Sequence, residues 1–112
     1  MTYSLDTITL NSKIKKIEKA IIFCHGFGGN NKMTALSLQN WAKLMPNTII
    51  FCPQAPERNL DKKDSFKWFD QPDVSKTFIT PKILHAEYLL NKYIDEVIEK
   101  NFLDEKKLIL GG

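Results

Sequence analysis

The sequence is poor in arginine and in long apolar runs. Arg58 is the single arginine among sixteen basic residues. Because arginine is the side chain that reads phosphates and base edges in a bidentate manner, its scarcity argues against specific nucleic-acid recognition. The longest apolar runs, 20–24 and 49–52, are far too short to cross a bilayer. The N-terminal stretch has no basic segment followed by an apolar one, so no signal peptide is expected.

Cysteine and histidine are also scarce, with two of each. Cys24 and Cys52 suit a reducing cytoplasm and lie at the ends of predicted strands, where we interpret them as small, buried hydrophobic side chains. The alternative, a metal site that adds His25 and His85, lacks the spacing of known ligand sets. We therefore expect neither a metal nor a cofactor.

The charge that is present is spread along the chain, which has a net charge of +3. One short basic cluster, formed by the lysines between positions 13 and 19, is interrupted by Glu18. We interpret it as the solvated edge of a hairpin, where lysines discourage strand pairing. A nucleic-acid patch is the alternative, but no aromatic residue or arginine interleaves these lysines.

The hydrophobic pattern predicts one α/β domain over residues 1–112. Short continuous apolar runs indicate strands buried on both faces of a parallel sheet, and three- and four-residue spacing indicates helices. Right-handed crossovers between such strands give a mostly parallel sheet with flanking helices. The predicted order is an N-terminal hairpin (3–10 and 14–17), a strand (20–24), a helix (36–45), a strand (48–52), a long loop (54–79), a helix (80–101) and a strand (106–110).

A glycine-rich loop, His25-Gly26-Phe27-Gly28-Gly29, follows the first buried strand. Backbone can approach a substrate there without obstruction by Cβ atoms, so the Phe27 N–H is a candidate oxyanion-hole donor. A phosphate-binding loop is the competing interpretation, but neither G-x-x-x-x-G-K-[ST] nor G-x-G-x-x-G is completed. His25 could act as a base, although a histidine beside glycine at a strand end more often orients the loop by hydrogen bonding.

No nucleophile accompanies this loop. None of the serines lies in a predicted tight strand-to-helix turn, and His85 has no predicted partner and is interpreted as a surface residue. The last predicted strand closes in Gly111-Gly112, which is how a G-x-S-x-G nucleophile turn begins. The serine of such a turn would stand two positions beyond Gly112.

Four blocks of sequence together resemble the phospholipase/carboxylesterase family of α/β-hydrolases, which includes the acyl-protein thioesterases. Their order and spacing suit the family, and they extend over nearly the whole chain but over only about half of the family fold. The blocks are IFCHGFG at 22–28, FCPQAP at 51–56, WFD at 68–70 and KLILGG at 107–112.

The resemblance implies a serine hydrolase of carboxylic esters or thioesters. Family members continue after the last glycine with phenylalanine, serine, glutamine and glycine, and supply a catalytic aspartate and histidine later. Phe27 would donate one oxyanion N–H, and the 68–70 block would form a wall near the acyl pocket. The residues expected to shape the loop or the substrate pocket are His25, Gly26, Gly28, Trp68 and Phe69.

Three interpretations of this pattern remain open. The first is a hydrolase truncated just before its nucleophile turn and inactive alone, the second is half of a split enzyme completed by a second chain, and the third is a binding module. The last strand, Leu108-Ile109-Leu110, carries no internal charge that would protect an exposed edge, which disfavours the third. We expect an isolated chain in the cytoplasm to be marginally stable or to self-associate through this edge.

Overall fold

A computed structural model describes residues 2–60, 62–68 and 81–112. A four-stranded sheet has the order β1-β3-β2-β6, and a separate two-stranded ribbon pairs β4 with β5. The elements are β1 (Thr7–Leu10), β2 (Lys19–Phe23), α1 (Asn31–Leu44), β3 (Thr48–Pro53), β4 (Glu57–Arg58), β5 (Phe66–Lys67), α2 (Pro81–Lys100), a 3-10 turn (Glu105–Lys107) and β6 (Leu108–Gly111).

The centre of the sheet is parallel, as the continuous apolar runs predict. β2 pairs in parallel with β3 on one side and with β6 on the other. Every residue of β3 is buried, which explains its unbroken apolar sequence. The predicted α/β architecture is therefore confirmed.

The two helices cover opposite faces of this sheet. On one face, Leu38 and Ala42 of α1 form a cluster with Ile50 of β3. On the other face, Tyr93 and Val97 of α2 join a cluster that includes sheet residues of β2 and β3. The helix predicted at 80–101 is confirmed as α2, although Thr80, its first predicted residue, lies outside the described residues.

The predicted N-terminal hairpin is wrong. Residues 14–17 form no strand, and β1 pairs antiparallel with β3, so that it lies at an edge of the sheet. The physical reason is the turn at Asn11, which has a φ of 59°. Its Nδ2 donates to the carbonyls of Ala42, Met45 and Thr48, which ties the turn to the α1–β3 connection instead of folding the chain back on itself.

The first helix starts five residues earlier than the predicted position 36. Asn30 caps it, because its side chain accepts a hydrogen bond from the Met33 N–H. Leu38 and Ala42 of this helix are buried, whereas Trp41 is 62% exposed. This apolar side chain is on the outer surface of the helix.

The last strand, β6, lies at the other edge of the described sheet. Ile109 and Leu110 are both exposed although both are apolar. Alternation along a strand directs them to opposite faces, so each face of the sheet is incompletely covered at β6. No helix among the described residues has the length and apolarity needed to span a membrane.

Candidate active site

The loop between β2 and α1 forms a tight turn at the carboxyl end of β2. The Gly29 N–H donates to the Gly26 carbonyl at 3.0 Å, and Gly28 has a φ of 80°, a conformation that favours glycine. Phe27 lies in this turn with an exposed side chain. Among the described residues, none accepts a hydrogen bond from the Phe27 N–H.

His25 is buried and uses both ring nitrogens to hold this loop. Nε2 accepts from the Ala55 N–H at 3.0 Å, and Nδ1 lies 2.8 Å from the Gly26 carbonyl. Because an amide can only donate and a carbonyl can only accept, the proton of the neutral ring is on Nδ1. This geometry favours the orienting role of His25 over that of a base, since neither nitrogen is left for a substrate.

Trp68 reinforces the same corner. Its Nε1–H donates to the His25 carbonyl at 2.9 Å, and the two rings lie 5.6 Å apart at 32°. Trp68 therefore contacts the loop residue that positions the turn. Phe69 and Asp70, the other members of the predicted wall, lie outside the described residues.

A second set of contacts, which the sequence did not indicate, holds the far side of the loop. The β5 segment donates to Gly29 and accepts from Gly28, through the Phe66 N–H at 2.9 Å and the Phe66 carbonyl at 2.8 Å. The buried Ser65 hydroxyl donates to the Gly28 carbonyl at 2.8 Å. The Asn30 side chain donates to the Asp64 carbonyl at 2.8 Å.

The 51–56 block fixes the start of α1 from a neighbouring strand end. The Gln54 side-chain oxygen accepts from the Asn31 N–H at 2.7 Å, and the Gln54 N–H donates to the Asp6 carbonyl. Asn31 is buried, and its Nδ2 donates to the carbonyls of Asp6 and Cys52. These bonds join the carboxyl ends of β2 and β3. Ligands of open α/β sheets bind beyond the carboxyl ends of the strands.

The end of β6 meets these strand ends. The Cys24 N–H donates to the Gly111 carbonyl at 2.9 Å. A Cβ at Gly111 would lie 2.9 Å from the Phe23 ring, and a Cβ at Gly112 would lie 3.1 Å from the Cys24 carbonyl oxygen. Both glycines are therefore explained by the close approach of β6 to the end of β2.

The two cysteines fit the interpretation of small hydrophobic side chains. Both are free, and Cys24 and Cys52 pack into clusters on opposite faces of the sheet. Burial, together with the nearby Cys24, raises the pKa of the Cys52 thiol to about 11. Burial also raises the pKa of Cys24. Both thiols are thus held in the protonated form, which is a poor nucleophile.

An apolar cleft opens beside the loop, between the end of β2 and the first half of α2. It has a volume of about 280 Å³, and among the described residues that line it Glu87 is the charged one. The other lining residues are Cys24, Trp68, Ile83, Ala86 and Leu90. His85 is exposed on α2, and the described residues contain no cluster of three or more histidine, cysteine or acidic side chains that could hold a metal.

The model of the phospholipase/carboxylesterase family matches residues 5–112. The chain therefore belongs to the phospholipase/carboxylesterase family of α/β-hydrolases. No curated protein matches it.

Solved structures similar to the chain include two esterase-type proteins. One is esterase PE8, with a TM-score of 0.75 and 18% identity over 98% of this chain. Another is a phospholipase/carboxylesterase from Dyadobacter fermentans DSM 18053, with a TM-score of 0.59 and 24% identity, also over 98% of this chain. The chain spans 51% and 48% of these two structures, about half of their length.

Proposed function

We propose that this chain supplies the oxyanion-loop half of a serine hydrolase that acts on carboxylic esters or thioesters. The observation that carries the proposal is the Phe27 N–H. It has no acceptor among the described residues, and it belongs to a turn that is held on both sides, by His25 and by Ser65. A fixed donor without an internal partner is what stabilisation of a developing oxyanion requires.

The reaction needs a nucleophile, and no serine of the 112 residues stands in a G-x-S-x-G sequence. In the proposed mechanism, a serine in a turn that continues from Gly112 attacks the acyl carbonyl, and a histidine oriented by an aspartate removes its proton. The Phe27 N–H then stabilises the tetrahedral oxyanion together with the amide that follows the serine. The short distance between Gly112 and the Cys24 carbonyl supports this arrangement, because it brings the turn beside the loop.

The apolar cleft beside Trp68 is the proposed site for the acyl chain. Among the described residues its lining is apolar except for Glu87, which suits a hydrocarbon chain more than a charged group. Trp68 also donates a hydrogen bond to the His25 carbonyl. One side chain therefore both lines the cleft and contacts the loop that carries Phe27. We further propose a cytoplasmic location, since both thiols are unpaired.

The source of the nucleophile separates the remaining interpretations. An interrupted hydrolase has no second half and is inactive, whereas a split enzyme receives its serine, aspartate and histidine from another chain. A non-catalytic binding module is the weakest candidate, because Ile109 and Leu110 are exposed on an edge strand that carries no protecting charge.

The experiment that tests the proposal is to read the source gene past the codon for Gly112 and to express the whole reading frame. Two results together would support the function. The frame should continue with a Phe-Ser-Gln-Gly-like stretch, and the product should hydrolyse p-nitrophenyl esters or acyl thioesters. This hydrolysis should be lost when the serine of that stretch is replaced by alanine. A complete frame with that serine but no such hydrolysis would sink it. A stop codon with a downstream frame that carries the serine turn favours the split enzyme, and its absence favours the remnant.

A further inference from the structure

The outer surface of α1 carries a second apolar stripe, separate from the face that packs on the sheet. Met33 and Leu36 are each 60% exposed, Trp41 is 62% exposed and Leu44 is 81% exposed. Large apolar side chains that are scattered singly on a surface need no explanation, but a contiguous group of them marks an interaction site. These four residues define what we call the α1 outer stripe.

Helical geometry places the four residues on one side of α1, as two neighbouring pairs, Met33 with Leu36 and Trp41 with Leu44. At about 100° per residue, Met33 and Leu44 are three turns apart and lie almost in line, with Leu36 and Trp41 on either side of that line. Ala35 and Ala42, which are buried, lie on the opposite side of the helix. The outer stripe is therefore a ridge of about 17 Å from Met33 to Leu44, interrupted near its middle by the exposed polar side chains of Ser37 and Asn40.

The charges on α1 have one sign. Lys32 and Lys43 are exposed and lie on the same flank of the stripe as Leu36, and the helix contains no aspartate or glutamate. On the other flank lies Trp41. Helices that lie in a membrane interface typically show three features: lysines that extend their charged ends away from an apolar ridge, a tryptophan at the border of that ridge, and few carboxylates.

We propose that the α1 outer stripe docks on the surface of an anionic lipid membrane. The apolar ridge enters the boundary between headgroups and acyl chains, and Lys32 and Lys43 contact anionic headgroups. Charge complementarity favours this occupant over a protein groove, because both charges of the helix are positive and both lie beside the apolar ridge. The inference stands apart from the proposed hydrolysis, since it requires no nucleophile.

The docked orientation has a consequence for the candidate site. The loop that holds Phe27 leads directly into Asn30, the N-cap of α1. A membrane contact along α1 therefore brings the oxyanion loop near a lipid surface, from which acyl substrates of low water solubility could be drawn. This consequence alone depends on the proposed function.

Vesicle flotation of the full chain tests the docking. The probes are vesicles of phosphatidylcholine that contain about one third phosphatidylglycerol, compared with vesicles of phosphatidylcholine alone. We expect binding to the anionic vesicles, with a loss of at least about tenfold in the double variant Leu36→Gln and Leu44→Gln. Neutralising Lys32 and Lys43 to glutamine should lower binding to anionic vesicles by about fivefold for each lysine. Binding to neutral vesicles should not change in that variant.

Two control variants make the result specific to α1. The double variant Leu84→Gln and Tyr88→Gln changes two exposed apolar residues of α2, and Leu110→Gln changes the exposed edge of β6. Both should bind vesicles as the unchanged chain does. Circular dichroism should show the same helix content in every variant, as expected for replacements at exposed positions.

Quenching by brominated lipids reports the orientation directly. Trp41 should be quenched on binding, and replacing it by phenylalanine should remove most of that quenching. The proposal is overturned if the chain binds no anionic vesicles, which would leave the ridge to a protein partner. It is equally overturned if the α1 variants bind normally, or if Leu110→Gln abolishes binding while they do not.

Discussion

At the scale of single residues, His25 shows how a side chain can resemble a catalytic group and serve a positioning role. Its two nitrogens are occupied by the Ala55 N–H and the Gly26 carbonyl. The ring therefore ties the backbone of Ala55 to that of Gly26, and it lies against the indole of Trp68, which lines the cleft. In the proposed function, the oxyanion is stabilised by the backbone amide of Phe27, two residues later.

The tautomer of His25 is the first prediction. Nitrogen-15 NMR of the imidazole should show the proton of the neutral ring on Nδ1, because Nε2 must accept from the Ala55 N–H. His85, which is exposed, provides an internal reference ring in the same spectrum. A protonated Nε2 in the neutral ring of His25 would contradict the account of the loop.

The buried thiol of Cys52 predicts a loss of stability in alkali. Its pKa rises from an ordinary 9.0 to about 11 in the folded chain. Between these values the unfolded chain has released a proton that the folded chain retains, so the free energy of unfolding falls as pH rises. One such group contributes a slope of at most about 1.4 kcal/mol per pH unit. Burial raises the pKa of Tyr93 as well, which acts in the same direction at higher pH.

Urea unfolding followed from about pH 8 to about pH 11 measures this slope. The variant Cys52→Ala should show a shallower decline, while the contribution of Tyr93 remains. Identical declines in the two proteins would show that the Cys52 thiol ionises equally easily in the folded and unfolded chains, and would contradict the prediction.

The candidate site could be predicted from sequence only where its contacts are local. The glycine spacing predicted the turn around Phe27, and the apolar run before it predicted that this turn follows a buried strand. Ser65 and Ala55 were missed because they reach the loop from 37 and 30 residues away, through the packing of a long loop that had no clean period. Asn30 carried a recognisable signal, since asparagine is a preferred N-cap, but the predicted helix started too late to use it.

At the scale of elements, Gly26 and Gly28 of the loop between β2 and α1 differ in the backbone conformation that each position requires. Gly28 adopts a φ of 80°, whereas a Cβ at Gly26 would meet nothing within 4 Å. Gly28→Ala should therefore lower the free energy of unfolding by about 1–2 kcal/mol, and Gly26→Ala should change it by much less. Thermal unfolding of the two variants under the same conditions makes the comparison, and equal losses would contradict the assigned backbone conformation.

Strands and helices were predicted best where one face or both faces are buried. β3 has an unbroken apolar sequence because it is central, and α2 repeats its apolar residues every three or four positions because one face packs on the sheet. β1 was placed in the wrong pair because residues 14–17 were predicted as a weak second strand. The pairing was decided by Asn11, whose three hydrogen bonds are long-range and leave no local pattern.

At the scale of the whole molecule, the sheet is covered unevenly. β1 ends one edge and β6 ends the other, and at β6 two apolar side chains, Ile109 and Leu110, are exposed. The chain spans about half the length of two related structures, 51% of one and 48% of the other. Burial of this edge is what a completing segment would contribute to stability.

The isolated chain should therefore be marginally stable or self-associate. Sedimentation velocity should show concentration-dependent association, and Leu110→Lys should reduce it, because a charge on an exposed edge opposes pairing. Leu84→Lys, at an exposed apolar position of α2, is the matched control and should have little effect. A sharp, reversible thermal transition of a monomer would count against the prediction.

The measurement that tests the central claim most directly concerns the amide of Phe27. In the hydrolase completed by a polypeptide that carries the serine turn, the α-hydroxy analogue of phenylalanine at position 27 removes the N–H and keeps the side chain. The account predicts that kcat falls by about 10²–10³ with little change in KM, while Phe27→Ala, which keeps the N–H, retains most of the rate. An unchanged kcat in the ester-linked protein would contradict the assignment of this loop as the oxyanion hole.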